Sequence, residues 1–534
     1  MKKNLLGVSL LTITGLYVLL SAIIILVTIV TGFPPIYGII ASIIILIIQF
    51  LISPFMTDLS MKWFYKAKFG YEIPDYLNSF IDEVCKKENM KKPRIGFIDD
   101  GAPNAFTYGH TKNDARIIIT RGILELLTEE EVKAVVGHEL GHAVHYDMLF
   151  MTVAQLVPLV LYGIYEMLIR SDNNSNSNNN NNYGAIVAII AYILYVISNY
   201  IILWLSRTRE YYADSYSIEI TKNPNSLASA LVKVGYGLTT SQTNSKHSAS
   251  KSNALGIFDS KTSKSLVVSS YDDGEISKDN IKNAMKWEQW NLWAKWYEFN
   301  STHPLISKRL LTISERSKEF NQEPYIVFDL KKEESYVDDF AIELLINCLP
   351  TVIFIIGLIV TTIFFVKDKA TIALIFTSTT LLLTLCASLI KFDRKHPNKN
   401  YTKRTVRDLL SEVKVSGITA IPCSLEGEVI GRGDPGYIFN EDMTIKDETG
   451  IMFLDYNQPL FIVNKIFALF KNKDNINKTI KVKGWYRRSP VPYVEILSYE
   501  IDGKTKRIFT YSLSIVLYVL GFIISLLPLL LIVL

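Results

Sequence analysis

"VVGHELGHAVHYD", residues 135–147, carries three histidines and a glutamate, although the whole chain of 534 residues holds only 7 histidines. His138 and His142 are four residues apart, so on a helix they share one face about a turn from each other. Two imidazoles so placed can hold one zinc ion, and Glu139, next to the first of them, is set to take a proton from water held by that ion. His145 looks like a third ligand but lies about 10 Å along a straight helix from His138. A zinc–nitrogen bond spans only about 2 Å, and "AVH" offers no glycine-bearing turn to bring the ring back. His145 is therefore read as an exposed or hydrogen-bonding residue.

The flanking sequence says where a third ligand should come from. Upstream, "TEEEVKAVVGHELGHAVH" reads as a helix with Thr128 as N-cap and Glu131 completing a capping box. Downstream, two apolar runs, Met148 to Ile169 and Tyr183 to Leu205, flank "SDNNSNSNNNNN". "SRTREYYADSYS" follows at 206–217, with Glu210 and Asp214 four apart on one helix face. An antiparallel hairpin of spans returns both segments to the same membrane side. Glu210 then completes a two-His-one-Glu set, with Asp214 supporting a ligand histidine. Taken alone, the pair is no more than two solvated carboxylates; the topology makes the difference.

Composition fits a membrane protein: 49% hydrophobic, 20% charged, mean hydropathy +0.21. A net charge of +4 is no nucleic-acid footprint, so no nucleic-acid partner is expected. Cys85, Cys348, Cys386 and Cys423 are scattered, which argues against a disulfide framework. Seven apolar runs are long enough to span a bilayer. They are Leu5 to Val30, Ile36 to Ile52 after a "TGFPP" reversal, the pair above, Leu344 to Val366, Ala370 to Ile390 and Phe509 to Leu534. Lys2 and Lys3, then Lys62, Lys66 and Lys68, then Arg207 and Arg209, then "KFDRKHPNKNYTKR" and "KTKR" all fall on one side if the N-terminus is cytoplasmic. The expected organisation is a transmembrane hairpin at 1–53 and a first soluble part with the histidine-bearing helix at 54–147. A hairpin at 148–205 and a second soluble part at 206–342 follow. Then come a third hairpin at 343–391, a small β domain at 401–505 and a final span at 508–534.

Between the spans, "RIGFIDDG" and "ARIIIT" read as strands, the latter with an open edge to which an extended peptide adds. Residues 239–275 are rich in Ser, Thr and Lys and read as a loop. Trp287, Trp290, Trp293 and Trp296 recur every third residue, either as core or as a helix at the headgroup level. In the 401–505 block, short strands with Gly, Pro and Asp turns suggest a small OB-like barrel. Tyr437, Tyr456 and Trp485 are its stacking candidates or, in the favoured reading, its filling.

"HELGH" before a membrane hairpin and "REYYAD" after it resemble the M48 family of integral-membrane zinc metalloproteases, which includes HtpX-type heat-shock proteases and CaaX prenyl proteases. "NAFTYGH" at 104–110, "ITRGILELLTEEEVKAVVGHELGH" and "STHPLISKRL" at 301–310 carry the same resemblance, over roughly residues 1 to 315. It implies one zinc ion per chain held by His138, His142 and Glu210, with Glu139 as base and acid and Asp214 behind a ligand. Asn104, His303 and Arg309 are implied candidates for substrate binding or oxyanion stabilisation. The implied fold is a multi-span α-helical membrane protein with an α+β zincin-type (gluzincin-like) cytoplasmic peptidase domain; the asparagine-rich loop, the third hairpin, the C-terminal all-β, OB-like domain expected from strand patterning and the last span are additions that the resemblance does not explain. The implied partners are polypeptide substrates, membrane proteins among them, and the lipid bilayer of the cell membrane; the oligomeric state is left open. The alternatives are a CaaX-type processing protease and, in another class, a non-catalytic zinc-containing scaffold or sensor. An intact Glu139 argues against the scaffold, since a structural site needs no base.

Overall fold

Residues 2–31, 35–101, 103–174, 183–240, 271–272, 275–276, 278–328, 334–432, 442–460, 464, 475–489 and 491–533 are described by the computed structural model. The middle of the "TGFPP" reversal, the asparagine tract at 175–182, most of the 239–275 stretch and Tyr437 lie outside the described residues. The chain divides into two units, Met1–Ser263 with Glu298–Val327, and Lys264–Tyr297 with Phe328–Leu534. The tryptophan-rich stretch up to Tyr297 thus belongs to the second unit.

In the first unit, helices α1 (Lys2–Thr31) and α2 (Pro35–Phe64) lead into the short strand β1 (Lys68–Phe69) and helix α3 (Asp75–Lys87). Strands β2 (Arg94–Ile98), β3 (Ala105–Gly109) and β4 (Ala115–Thr120) complete a sheet of order β1-β2-β4-β3. β4 runs parallel to β2 and antiparallel to β3, and all six of its residues are buried. This corrects the expectation of an open edge at "ARIIIT": three consecutive isoleucines, Ile117–Ile119, mark a strand covered on both faces, and here it is paired on both sides as well. The edge falls on β3, whose outer side pairs with no other strand among the described residues.

Helix α4 (Arg121–Leu126) leads to α5 (Glu129–Val144), which carries the histidines. α5 opens on the capping box formed by Thr128 and Glu131, with Thr128 N–H donating to Glu131 Oε2 at 2.9 Å. Glu131 also accepts from Ser229 (2.6 Å) and Lys233 (2.9 Å) of α8 (Pro224–Thr240), so the capping residue anchors a second helix. α5 ends at His145, and Tyr146 turns the chain at φ +59° into α6 (Asp147–Asn174).

α6 and α7 (Tyr183–Thr221) pack against α1 through Leu16, Leu20, Ala154, Val157, Ala188 and Ala191. The alanines let the helix backbones approach closely, as membrane helix pairs require. α7 is 39 residues long, about 58 Å at 1.5 Å per residue, nearly twice a ~30 Å hydrocarbon layer. One uninterrupted helix is therefore long enough both to cross a membrane and to carry "REYYAD" beyond it.

Six helices among the described residues are long and apolar enough to cross a membrane: Gly7–Thr28, Asp147–Arg170, Gly184–Thr221, Val337–Val366, Ala370–Lys395 and Thr510–Leu530. The run from Ile36 to Ile52 falls within α2, where several side chains are outside the described ones.

In the second unit, strands Ile421–Arg432, Met443–Lys446 and Ile451–Asp455 form an antiparallel meander. Ile451–Asp455 pairs parallel with Val491–Ile501, which pairs with Thr479–Ser489, which returns to Ile421–Arg432. The sheet closes on itself into a barrel-like cycle. Trp485 and Tyr456 are buried, as are Trp287 and Trp293, whereas Trp296 is 44% exposed. Trp287 Nε1 donates to the Val415 carbonyl at 2.7 Å and Arg488 to that of Ala284 at 2.8 Å. Of the two readings of the tryptophan repeat, core filling describes Trp287 and Trp293.

Candidate metal centre and active site

The two histidines of α5 meet as the four-residue spacing requires. His138 Nε2 and His142 Nε2 stand 3.2 Å apart. Glu210, on α7, brings Oε2 to 3.6 Å from His138 Nε2 and Oε1 to 3.7 Å from His142 Nε2. Ligands about 2.0–2.2 Å from a tetrahedrally bound ion stand roughly 3.3–3.6 Å apart, so the three groups already have nearly the spacing of a filled site. They are the one such group among the described residues, with donor atoms all within 4.8 Å.

Each imidazole is backed by a carboxylate on its other nitrogen. Asp214 Oδ1 lies 2.9 Å from His138 Nδ1, one turn along α7 from Glu210. Asp147 Oδ2 lies 2.7 Å from His142 Nδ1. Each carboxylate in turn is held by an arginine. Arg309, on the helix Ile306–Ser317, forks onto Asp214 with Nε at 2.9 Å and Nη2 at 2.7 Å. Arg209 donates from Nη1 to Asp147 and from Nη2 to Ser9 of α1 at 2.7 Å. Such outer partners set the tautomer and direction of a ligand imidazole. Burial disfavours charge on both rings, yet the Asp214 and Glu210 carboxylates push His138 up to about 10, and Asp147 raises His142.

Glu139 is buried, and its Oε2 accepts from Thr107 Oγ1 at 2.8 Å. Thr107 lies on the edge strand β3, so Glu139 is tied to the one sheet edge left open on that side. His303 Nδ1 is 3.4 Å from Glu210 Oε2. Asn104 precedes β3, buried, with its N–H on Thr120 Oγ1 at 2.8 Å. Arg309 is 1% exposed, and its third nitrogen lies 3.5 Å from Glu210; the guanidinium faces carboxylates rather than open space. His145 sits at the end of α5, edge-on to Tyr216 at 5.6 Å and Tyr212 at 6.2 Å.

Three residues escaped the reading of the sequence. Asp147 stands in the opening stretch itself, five residues after His142, where the turn at Tyr146 aims it back. Arg209 is the neighbour of Glu210. Thr107 lies in "NAFTYGH", but nothing in a lone threonine signals the glutamate it faces.

The model of "Peptidase family M48" matches residues 74–317. A protein named "Protease HtpX homolog" from Methanothermobacter thermautotrophicus is 39% identical over 190 residues, which are 36% of this chain and 69% of the relative. Homologs of the same name from Aquifex aeolicus and Aeropyrum pernix are 33% and 26% identical. The alignments run over 213 and 268 residues, 37% and 49% of this chain, and 70% and 81% of the relatives' own lengths. With the His-His-Glu group and the membrane helices around it, these matches show that the chain belongs to peptidase family M48 and is a membrane-embedded metalloprotease.

Proposed function

We propose that the chain is a zinc-dependent endopeptidase whose substrates are misfolded or damaged membrane polypeptides. His138, His142 and Glu210 hold one zinc ion; Glu139 is the general base and acid. The observation that carries this reading is the convergence of two imidazole nitrogens and a carboxylate at 3.2, 3.6 and 3.7 Å. Two His and one Glu are a catalytic donor set that leaves a position for water. When bound, zinc acidifies water and polarises a scissile carbonyl. Glu139 accepts the proton of the attacking water and passes it to the leaving amine. Thr107 holds the Glu139 carboxylate in place, and His303 is the candidate for stabilising the oxyanion. Arg309 acts through Asp214 and Glu210 as a positioning residue. Asn104 shapes the start of β3.

An extended peptide adds to β3 as a further strand. The Asn104 carbonyl accepts from Thr120 N–H, so in this antiparallel register Asn104, Phe106 and Tyr108 bond inward. The backbone groups of Ala105, Thr107 and Gly109 then face outward. Recognition through backbone suits a protease that meets many unfolded sequences. The domain reading is gluzincin-like: sheet, HExxH helix and a downstream helix supplying Glu210. It draws on 54–147 and, within 206–342, on the described residues 206–240 and 298–327. The closed cycle of five strands, with one parallel pair, supports an OB-like assignment for the C-terminal barrel. The charge distribution supports a cytoplasmic active site on a multi-pass protein of the cell membrane.

The test combines zinc content with cleavage of a disordered membrane-tethered substrate. Glu139→Gln abolishes cleavage and retains zinc; Glu210→Gln weakens zinc binding. Wild-type zinc affinity in Glu210→Gln, or wild-type turnover in Glu139→Gln, overturns the proposal.

A further inference from the structure

Glu343 is a buried acid that the peptidase chemistry does not use. It lies in the second turn of the span Val337–Val366 and is 9% exposed. Its carboxylate accepts from a neutral donor, the Trp293 indole N–H, and no Lys, Arg or His pairs with it among the described residues. A carboxylate buried at the start of a membrane helix without a cation is expensive, and such residues mark binding sites.

A cavity of about 200 Å³ lies beside it, lined by Trp293, Tyr336, Phe340, Glu343, Arg394 and Lys414. Trp293 and Phe340 meet edge-on, 5.0 Å between ring centres. The position in the bilayer follows from the chain. Phe340 and Glu343 occupy the first two turns of one span, and Arg394 the last turn of the next, Ala370–Lys395. The two helices are joined directly by 367–369, so these ends lie on the same side; Lys391 Nζ reaches the Asn347 carbonyl at 3.5 Å across the pair. The cavity is therefore where the hairpin leaves the hydrocarbon, at headgroup depth.

The charges lining it do not cancel in place. Lys414 is engaged by Glu334 at 2.9 Å and by Asp339 at 3.4 Å. Arg394 is exposed and has no carboxylate partner among the described residues. What remains is one unmatched acid set among aromatic rings and one unmatched guanidinium. Rings beside a carboxylate suit an organic ammonium; a guanidinium suits a phosphate. We propose that this cavity binds the headgroup of a zwitterionic phospholipid, its ammonium against Glu343 and the rings and its phosphate against Arg394. The site is independent of the zinc centre and of the peptidase reading.

Native mass spectrometry of the full-length protein in detergent tests it, with phosphatidylethanolamine, phosphatidylglycerol and soluble glycerophosphoethanolamine as probes. The expected result is retention of about one phosphatidylethanolamine per chain, with phosphatidylglycerol held at least about tenfold more weakly for want of the ammonium. Glu343→Gln removes that preference by lowering phosphatidylethanolamine retention alone; Arg394→Gln lowers both lipids. Equal retention of the two lipids by the wild type, or wild-type retention by folded Glu343→Gln, overturns the proposal. Should Glu343→Gln fail to fold, Arg394→Gln decides: Arg394 is exposed, and undiminished phosphatidylethanolamine on that variant overturns it equally. Glycerophosphoethanolamine competes poorly, because it lacks acyl chains lying along the spans; competition as strong as by the lipid overturns the membrane source.

Discussion

Asp147→Asn separates holding the metal from holding the fold. One oxygen of Asp147 lies 2.7 Å from His142 Nδ1 and the other receives Arg209. The amide keeps the shape but loses the charge and one acceptor. At the histidine, loss of an outer partner costs about 10–100-fold in metal affinity, or about 1.4–2.7 kcal/mol. At the arginine the effect is different. Arg209 is 2% exposed, and removing its carboxylate leaves a buried charge with the Ser9 hydroxyl and the Phe150 ring as partners; breaking such a pair costs roughly 3–5 kcal/mol of stability. The assay is zinc competition against a graded chelator, alongside thermal unfolding of chelated protein. Arg209→Met should hold zinc within about threefold of the wild type. The double variant should recover much of the stability lost in Asp147→Asn, because the orphaned charge is gone, yet stay weak in zinc. Wild-type zinc affinity in folded Asp147→Asn would refute the orienting role. Equal zinc loss in Arg209→Met would show that the helix contact, and not the imidazole, governs the metal.

Thr107→Val removes the donor to Glu139 without touching a ligand; a hydrogen bond to a carboxylate is worth about 1.5–3 kcal/mol, so kcat/KM should fall about tenfold or more at unchanged zinc content, and unchanged kinetics would remove Thr107 from the machinery. The carboxylates that push His138 up to about 10 keep it protonated at neutral pH in chelated protein. Zinc must displace that proton, so affinity rises with pH towards 10, and calorimetry in buffers of different ionisation enthalpy should register proton release on binding. By the same sign, His138 contributes stability to the chelated protein that is full below about 6.5 and lost as pH rises through about 10. For orientation, Asn178→Cys should react with an impermeant thiol reagent on intact cells and Lys251→Cys should not; the reverse pattern would invert the topology.

What was legible and what was not divides along physical lines. Helical periodicity makes angles readable, so the joint face of His138 and His142, and that of Glu210 and Asp214, follow from spacing alone. The hairpin α6–α7 brings the two faces together because both spans are readable as apolar runs. Neighbour relations in a sheet have no such signature. "ARIIIT" states that β4 is buried but not that β3, rather than β4, lies outermost. Direction is equally hidden. Arg309 was within reach of the site from its motif, yet only the fold shows its fork turned onto Asp214.

Arg207 and Arg209 show how one residue can carry two readings. Both count towards a cytoplasmic cluster, but Arg209 is buried on Asp147, and Arg207 donates to the carbonyls of Glu298, Phe299 and Ser301. Their place in the chain is explained by the site and by the closure of 298–301 onto α7, whichever way the protein faces. The charge argument for orientation therefore rests on positions that do no such work. Among these are Lys399 and Lys504, beyond the ends of the last two hydrophobic helices and exposed to solvent. Substituting these lysines, and not the two arginines, is the change that should weaken the topology without harming the metal centre.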